Sequence, residues 1–251
     1  MINKISQLID DCKDNSVSWQ NTIEAAGDDC AVWLGEDVKY FGKVDCQVES
    51  VHFNLDVISW QDLGRKALAV NLSDIASMGG LPRYAMVSLG LPLDTEVDDV
   101  MSLYGGILEL AKETGTAVVG GNISCSLVVF IDISLIGAAG NPAGNYLSRS
   151  SAKAGDLIAV TGSLGSAAAG LCLLTGRDQT ENTQYDSLMQ AFLRPEPRLK
   201  EGILLEKMGV KAAIDISDGL LADLDHICSA SKAGAKVYLK ELPVLPCLLY
   251  T

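Results

Sequence analysis

The sequence predicts a mixed α and β protein. Segments with the alternating apolar pattern of strands take turns with segments of helical spacing along the chain. The 251 residues are enough for one large domain or two modest ones. In the stretch 141–156, Pro, Gly, Ser, Lys and Arg replace the long apolar runs, so we expect a domain boundary there.

The first half predicts strands and two long helices. In order, we expect an extended segment over 41–53, a helix over 63–78, a strand over 84–91 and a helix over 94–114. In the first helix, Leu68, Leu72 and Ile75 follow helical spacing, and a double glycine after Met78 ends it. Strands over 117–119 and 127–136 follow, on either side of a Gly-Gly-Asn sequence at 120–122.

The second half continues the alternation with shorter elements. Apolar runs over 157–161 and 212–216 predict strands, and helices are expected over 163–174 and 220–231. The last ten residues are apolar and lack a polar close, so we expect the second domain to be incomplete.

The composition disfavours several classes of partner. Nineteen Lys and Arg against 32 Asp and Glu give a net charge of −13, which suits neither nucleic acid nor an anionic membrane surface. No apolar run reaches membrane-spanning length, and the start of the chain lacks a signal-peptide pattern. Seven cysteines without a CxxC pair favour neither a disulfide framework nor a zinc site, so we expect a reducing cytoplasm.

Several carboxylates stand where the local sequence offers no cation; they are Asp28, Asp29, Asp45, Asp74, Asp215 and Asp218. Each alone has an ordinary explanation as a turn, cap or solvent-facing acid, and Ser73 could begin a second short helix with Asp74 in its first turn. Together they predict a hard-cation site, because clustered acids without bases need divalent ions. Mg²⁺ holding a nucleotide polyphosphate is the usual occupant of such a site.

Other catalytic patterns are weak. The chain has two histidines and no GxSxG, HExxH or GxxxxGK[ST] motif. The glycine turn at 160–165 reads either as a phosphate cradle or as an ordinary strand-to-helix turn. The glycines at 120–121 indicate either a tight turn or a close backbone approach to a ligand. His52 is ambiguous on its own.

Seven motifs, in order along nearly the whole chain, resemble the thiamine-monophosphate kinase family. They are GDDCAV from 27, VDCQVESVHF from 44, KALAVNLSDIASMG from 66, GGN from 120, LSRS from 147, LRPEPR from 193 and IDISDGL from 214. The long helical motif from 66 is highly specific, whereas the double glycine alone is weak.

The resemblance implies the two-domain α+β fold of aminoimidazole ribonucleotide synthetase. Residues 1–145 would be the domain for ATP and Mg²⁺ binding and dimerisation, and 146–251 a C-terminal α/β domain. The implied reaction moves the ATP γ-phosphoryl group onto thiamine monophosphate, giving thiamine diphosphate in a homodimer. A phosphate monoester is largely ionised at neutral pH, so this acceptor needs no dedicated general base.

The resemblance also implies site residues by motif position. Metal ligands would be Asp29, Asp45, Asp74, Asn122, Asp215 and Asp218. Positions for ATP would be Gly121, Asn122, Arg149 and Ser217, and His52 would contact thiamine monophosphate.

The chain departs from the family pattern at three points. Asn122 stands where the family has Asp, so one ion should bind more weakly. Lys43 and Val44 replace hydroxyl residues; Lys43 either occupies a metal position or faces solvent, and we expect solvent. The family continues past this end through a Gly-Gly-Glu-Asp-Tyr segment. Alternatives are therefore a noncatalytic or truncated ATP-binding homologue, or a related cyclo-ligase or hydrogenase-maturation dehydratase.

Overall fold

A six-stranded sheet forms the first half of the protein. The computed structural model describes residues 7, 9, 11–25, 28–140, 144–176 and 185–248. The sheet has the strand order β1-β2-β3-β6-β4-β5, and only β4 and β5 are parallel neighbours. The strands are β1 Thr22–Glu24, β2 Ala31–Leu34, β3 Lys39–Val48, β4 Leu81–Leu91, β5 Ala117–Cys125 and β6 Phe130–Ala138.

Seven described helices complete the fold: α1 Val17–Asn21, α2 Trp60–Ser77, α3 Val97–Thr114, α4 Ser166–Leu174, α5 Asp186–Leu193, α6 Leu199–Lys207 and α7 Leu220–Ser231. The predicted α+β class is therefore confirmed. Helix α2 begins three residues earlier than predicted because the Ser59 hydroxyl accepts the amide of Asp62 and caps it. Helix α3 ends at Thr114, as predicted, and Gly115 with φ 69° caps it. None of the described helices is long and apolar enough to cross a membrane.

Helices α2 and α3 pack together on one face of the sheet. Their backbones are in contact at two glycines. A Cβ at Gly64 would lie only 1.9 Å from the Leu103 oxygen, so no side chain fits there. A Cβ at Gly106 would likewise lie 1.8 Å from the Gln61 oxygen. This close contact fixes α2, which carries Asp74, against α3.

The two faces of the sheet differ in burial. Phe41, Val87 and Ile133 point toward the helices and are fully buried. Val44 and Met86, on the opposite face, are exposed. The alternation is the period of two expected of strands, and it leaves one face of the sheet open.

Strand β5 excludes the tight turn that was one of the two interpretations of the glycines at 120–121. It runs without a break from Ala117 to Cys125 and pairs in parallel with β4, and neither glycine has positive φ. A Cβ at Gly121 would lie 1.8 Å from the Val87 oxygen, so the close approach is to the neighbouring strand. Val118 pairs with Ala85 and Gly120 with Met86, which leaves one extra residue as a bulge.

The second half is helical in the part that the structure describes. The helices expected over 163–174 and 220–231 are confirmed as α4 and α7. The strands predicted over 157–161 and 212–216 are wrong, because residues 144–176 and 185–248 contain no strand beyond an isolated bridge between Leu164 and Val244. Leu157 is 96% exposed. An apolar run becomes a strand only beside a partner edge, and the described chain offers none there.

Contacts between the halves position the candidate site. Helix α6 lies against the end of α2, where a Cβ at Gly202 would be 2.0 Å from the Ala76 oxygen. Arg194 contacts both Asp62 and Glu109, joining the segment after α5 to α2 and α3. The last turn of α2 is therefore enclosed by residues from both halves.

Candidate active site

Three carboxylates from separate parts of the chain meet at the end of α2. They belong to Asp29 just before β2, Asp74 in the last turn of α2, and Asp215 before α7, with ligand oxygens all within 4.8 Å of one another. Asp29 is 3% exposed and Asp74 is 5% exposed. Helix α2 is continuous through Ser73, so Asp74 is not a first-turn acid of a second helix.

Burial makes this acidic cluster, defined as Asp29, Asp74 and Asp215, hard to ionise. Burial, followed by repulsion from Asp215, raises the pKa of Asp74 to about 7. Burial and then repulsion from Asp29 raise the pKa of Asp215 to about 6, against a hydrogen bond from Ser73. Burial also raises the pKa of Asp29. Such shifts mark a site that needs cations to hold its charges.

Arg149 supplies one cation to the cluster. Its Nε lies 3.0 Å from Asp29 Oδ1 and 3.7 Å from Asp28 Oδ1. The Asp28 carboxylate also accepts the Arg149 amide at 3.1 Å and the Ser148 hydroxyl at 2.7 Å. The other oxygen of Asp29 accepts the Ser77 hydroxyl. The segment that joins the two halves is thus tied to the start of β2.

Lys43 supplies the second cation, and the expectation that it faces solvent is wrong. Its Nζ lies 3.1 Å from Asp74 Oδ2, and its side chain is only 22% exposed. Lys43 stands two residues from buried Phe41, so strand periodicity turns it toward α2. Burial opposes ionisation, but Asp74 and then Asp45 raise the pKa of Lys43. Asp45 lies on the same strand face as Lys43, but it is not one of the three carboxylates that meet.

A buried acid that the sequence did not single out organises the loop before α7. Asp223 is 3% exposed, and its Oδ2 accepts the amides of Ser217, Asp218 and Gly219 at 3.0, 3.2 and 3.0 Å. Those amides are therefore already engaged, while the Asp218 side chain is exposed. An acid in the first turn of α7 was visible in the sequence, but its reach back to the loop was not.

Gly121 and Asn122 lie away from the cluster within one chain. Pairing places Asp45, Ile133, Val87 and Gly121 in one row across β3, β6, β4 and β5. Three strand spacings separate the ends of that row by roughly 14 Å. Asn122 belongs to the next row, on the open face, and its amide nitrogen lies 3.1 Å from the Ser124 hydroxyl.

His52 lies in the exposed turn after β3. Its Nδ1 accepts the Val48 amide at 3.0 Å, which fixes the ring and leaves Nε2 as the second polar atom. The turn at 160–165 has positive φ at Gly162 and at Gly165, which caps α4. The structure brings neither feature into the acidic cluster.

Comparison with known protein families first identifies the class of protein to which the chain belongs. Residues 27–139 match the family described as AIR synthase related protein, N-terminal domain, and residues 153–248 match the corresponding C-terminal domain. With its mixed sheet and enclosed acids, the chain is an AIR synthase related protein. Escherichia coli HypE superposes with a TM-score of 0.68 at 21% identity, a likeness of fold alone.

The relatives then define the particular family. Thiamine-monophosphate kinase of Bacillus subtilis is 37% identical over 222 residues, 87% of this chain and 68% of the relative. That of Escherichia coli K12 is 38% identical over 219 residues, 86% of this chain and 66% of the relative. The solved structure of AaThiL complexed with AMPPCP and TMP superposes with a TM-score of 0.87 at 32% identity, covering 99% of this chain and 76% of that one. The chain belongs to the thiamine-monophosphate kinase family.

Proposed function

We propose that the protein phosphorylates thiamine monophosphate, taking the γ-phosphoryl group of ATP and forming thiamine diphosphate. The relatives are named thiamine-monophosphate kinase, and the AaThiL structure is complexed with AMPPCP, an ATP analogue, and TMP. The observation that carries the proposal in this chain is the buried meeting of Asp29, Asp74 and Asp215. Phosphoryl transfer depends on positioning and charge neutralisation, which such a site can provide through metal ions.

The donor atoms of the cluster suit Mg²⁺. All are carboxylate oxygens, the ligands that this ion prefers. Two oxygens on one Mg²⁺ lie at most about 4.2 Å apart, and the observed limit of 4.8 Å is close to that spacing. We propose that Asp29, Asp74 and Asp215 hold the ion, with Asp45 and Asp218 beside it. Bound Mg²⁺ would neutralise charge on the ATP phosphates.

The remaining site residues bind the two substrates or hold the metal ligands and loops in place. Arg149 holds Asp29 in place and offers a fixed cationic group toward phosphate oxygens. Asp223 holds the loop that presents Ser217 and Asp218. His52 is proposed to contact thiamine monophosphate through Nε2. The acceptor phosphate is already ionised, so the proposal assigns no general base.

A homodimer is part of the same proposal. The open sheet face exposes Val44, Tyr84 and Met86, and β5 leaves a sheet edge unpaired within the described chain. Exposed apolar surface and an open edge are typical of an interface. Asn122 is on this face and far from the cluster, so it would join a metal site only from a second copy.

The domain division and the location complete the proposal. We propose residues 1–145 as the nucleotide, Mg²⁺ and dimerisation domain and 146–251 as the C-terminal domain. A cytoplasmic location is proposed because all seven cysteines are free.

A second candidate is a nucleotide binder without turnover. Asn122 in place of an acid and Lys43 against Asp74 favour it, because both lower the negative charge available to metals. Incubation with Mg²⁺, ATP and thiamine monophosphate, followed by chromatographic measurement of thiamine diphosphate, separates the two. Formation of thiamine diphosphate, lost in Asp74→Asn, supports the kinase. Calorimetric binding of Mg·ATP without product supports the binder.

A further inference from the structure

Lys43 introduces a permanent positive charge into the acidic site. We propose that its ammonium group replaces a second divalent ion between Asp74 and Asp45, so that the nucleotide-free chain holds one ion where it would otherwise hold two. The inference rests on the Mg²⁺ assignment made under Proposed function. It gives a role to Lys43, which was expected to face solvent and instead contacts Asp74.

The position of Lys43 is built into the sheet. It projects from the helix-facing side of β3, between buried Phe41 and Asp45, and its Nζ is 3.1 Å from Asp74 Oδ2. A Mg²⁺ ion bound to that oxygen would sit at about 2.0–2.1 Å from it. An ammonium and a divalent ion cannot both occupy the same side of one carboxylate oxygen, because they repel each other. The lysine therefore takes Oδ2, and an ion shared by the cluster would have to use the other oxygen of Asp74.

The charge balance leads to the same count. When ionised, the three clustered carboxylates and Asp28, which shares Arg149 with Asp29, carry −4, and Arg149 with Lys43 returns +2, which leaves −2. Within the described residues, Asp215 is the cluster member without a lysine or arginine inside 4.0 Å, so an ion is best placed beside it. One divalent ion offsets the remaining charge. Without Lys43 the balance of the same four acids is −3, and a second ion is needed.

Counting bound Mn²⁺ in the nucleotide-free protein tests the inference. Free Mn²⁺ is measured by electron paramagnetic resonance during a titration of wild type, Lys43→Thr and Lys43→Arg. We expect one ion per chain in wild type and in Lys43→Arg, and two in Lys43→Thr, a twofold increase. Lys112→Thr removes an exposed lysine from the last turn of α3 and should match wild type.

A second variant guards against loss of folding. Lys43→Gln keeps much of the side-chain length and a hydrogen-bond donor for Asp74 but removes the charge, so it should also bind two ions. Equal Mn²⁺ counts in wild type, Lys43→Thr and Lys43→Gln would overturn the inference. One ion in all three leaves the metal assignment standing, whereas no bound ion in any of them rejects the assignment together with the inference. Formation of thiamine diphosphate is assayed separately and reports on the proposed reaction.

Discussion

Substituting Asp74 by Asn separates the metal-binding role of this acid from its effect on stability. The change removes a charge and almost no volume, so the fold should persist. Mg²⁺-dependent ATP binding should be lost, because the cluster loses a central ligand. The same variant should be more stable than wild type when metal is absent.

The magnitude follows from the pKa of Asp74, which burial raises from 3.8 to about 7. The folded chain holds this proton more tightly than the unfolded chain, so metal-free wild type loses stability as pH rises from about 4 to about 7. At about 1.4 kcal/mol per pH unit the loss reaches about 4 kcal/mol above pH 7. Asn at position 74 removes this destabilisation, but it also removes the ion pair with Lys43, which then has only Asp45 nearby. We therefore expect a net gain of about 2 kcal/mol in the free energy of unfolding.

Thermal unfolding in EDTA measures this gain. For a chain of this size, about 2 kcal/mol raises Tm by roughly 4–8 °C. The gain should be present at pH 8 and less than half as large at pH 5, where folded wild type already holds the proton. Asp94→Asn, at an exposed acid, is the control and should change Tm at neither pH. An unchanged or lower Tm for Asp74→Asn at pH 8 would refute the reasoning.

Three further substitutions address packing, loop order and the dimer. Gly106→Ala should destabilise the protein by about 1–3 kcal/mol in chemical denaturation, because its Cβ meets the backbone of α2. Gly105→Ala, with open space beside it, should not destabilise and sets the baseline. Asp223→Ala should weaken Mg·ATP binding in calorimetry about tenfold by freeing three loop amides, whereas exposed Asp225→Ala should bind normally. Asn122→Asp should tighten Mg²⁺ binding at protein concentrations where the chain dimerises and leave it unchanged at monomeric dilution; tightening at both would place this residue in the cluster of its own chain.

The sequence predicted the elements that local pattern controls. Helical spacing around Leu68 and Leu72 located α2, and the lack of nearby cations marked Asp74 as unusual. These features depend on residues a few positions apart, so they can be recognised from the sequence without the structure. The meeting of Asp29 with Asp74 and Asp215 was expected from the family resemblance, and the structure brings these acids together.

The features that sequence reasoning missed depend on distant partners. The orientation of Lys43 follows from which face of β3 receives the helices, a fact that no local pattern contains. Two glycines at 120–121 were compatible with a tight turn or with a close approach to a ligand, but β5 runs straight and the close approach is to β4. Asp223 was not singled out from the sequence, and its contact with the preceding loop is visible only in three dimensions.

The outer edge of strand β5 affects how readily the protein aggregates during synthesis. Within the described residues its outer edge has no strand partner, so its backbone donors and acceptors can pair with another extended chain, and the adjacent Val119 and Ile123 are exposed. In newly synthesised protein, correct dimerisation therefore competes with aggregation through this edge. Slow synthesis, low temperature and chaperone supply would favour the first outcome, so the yield of recombinant protein should respond to all three.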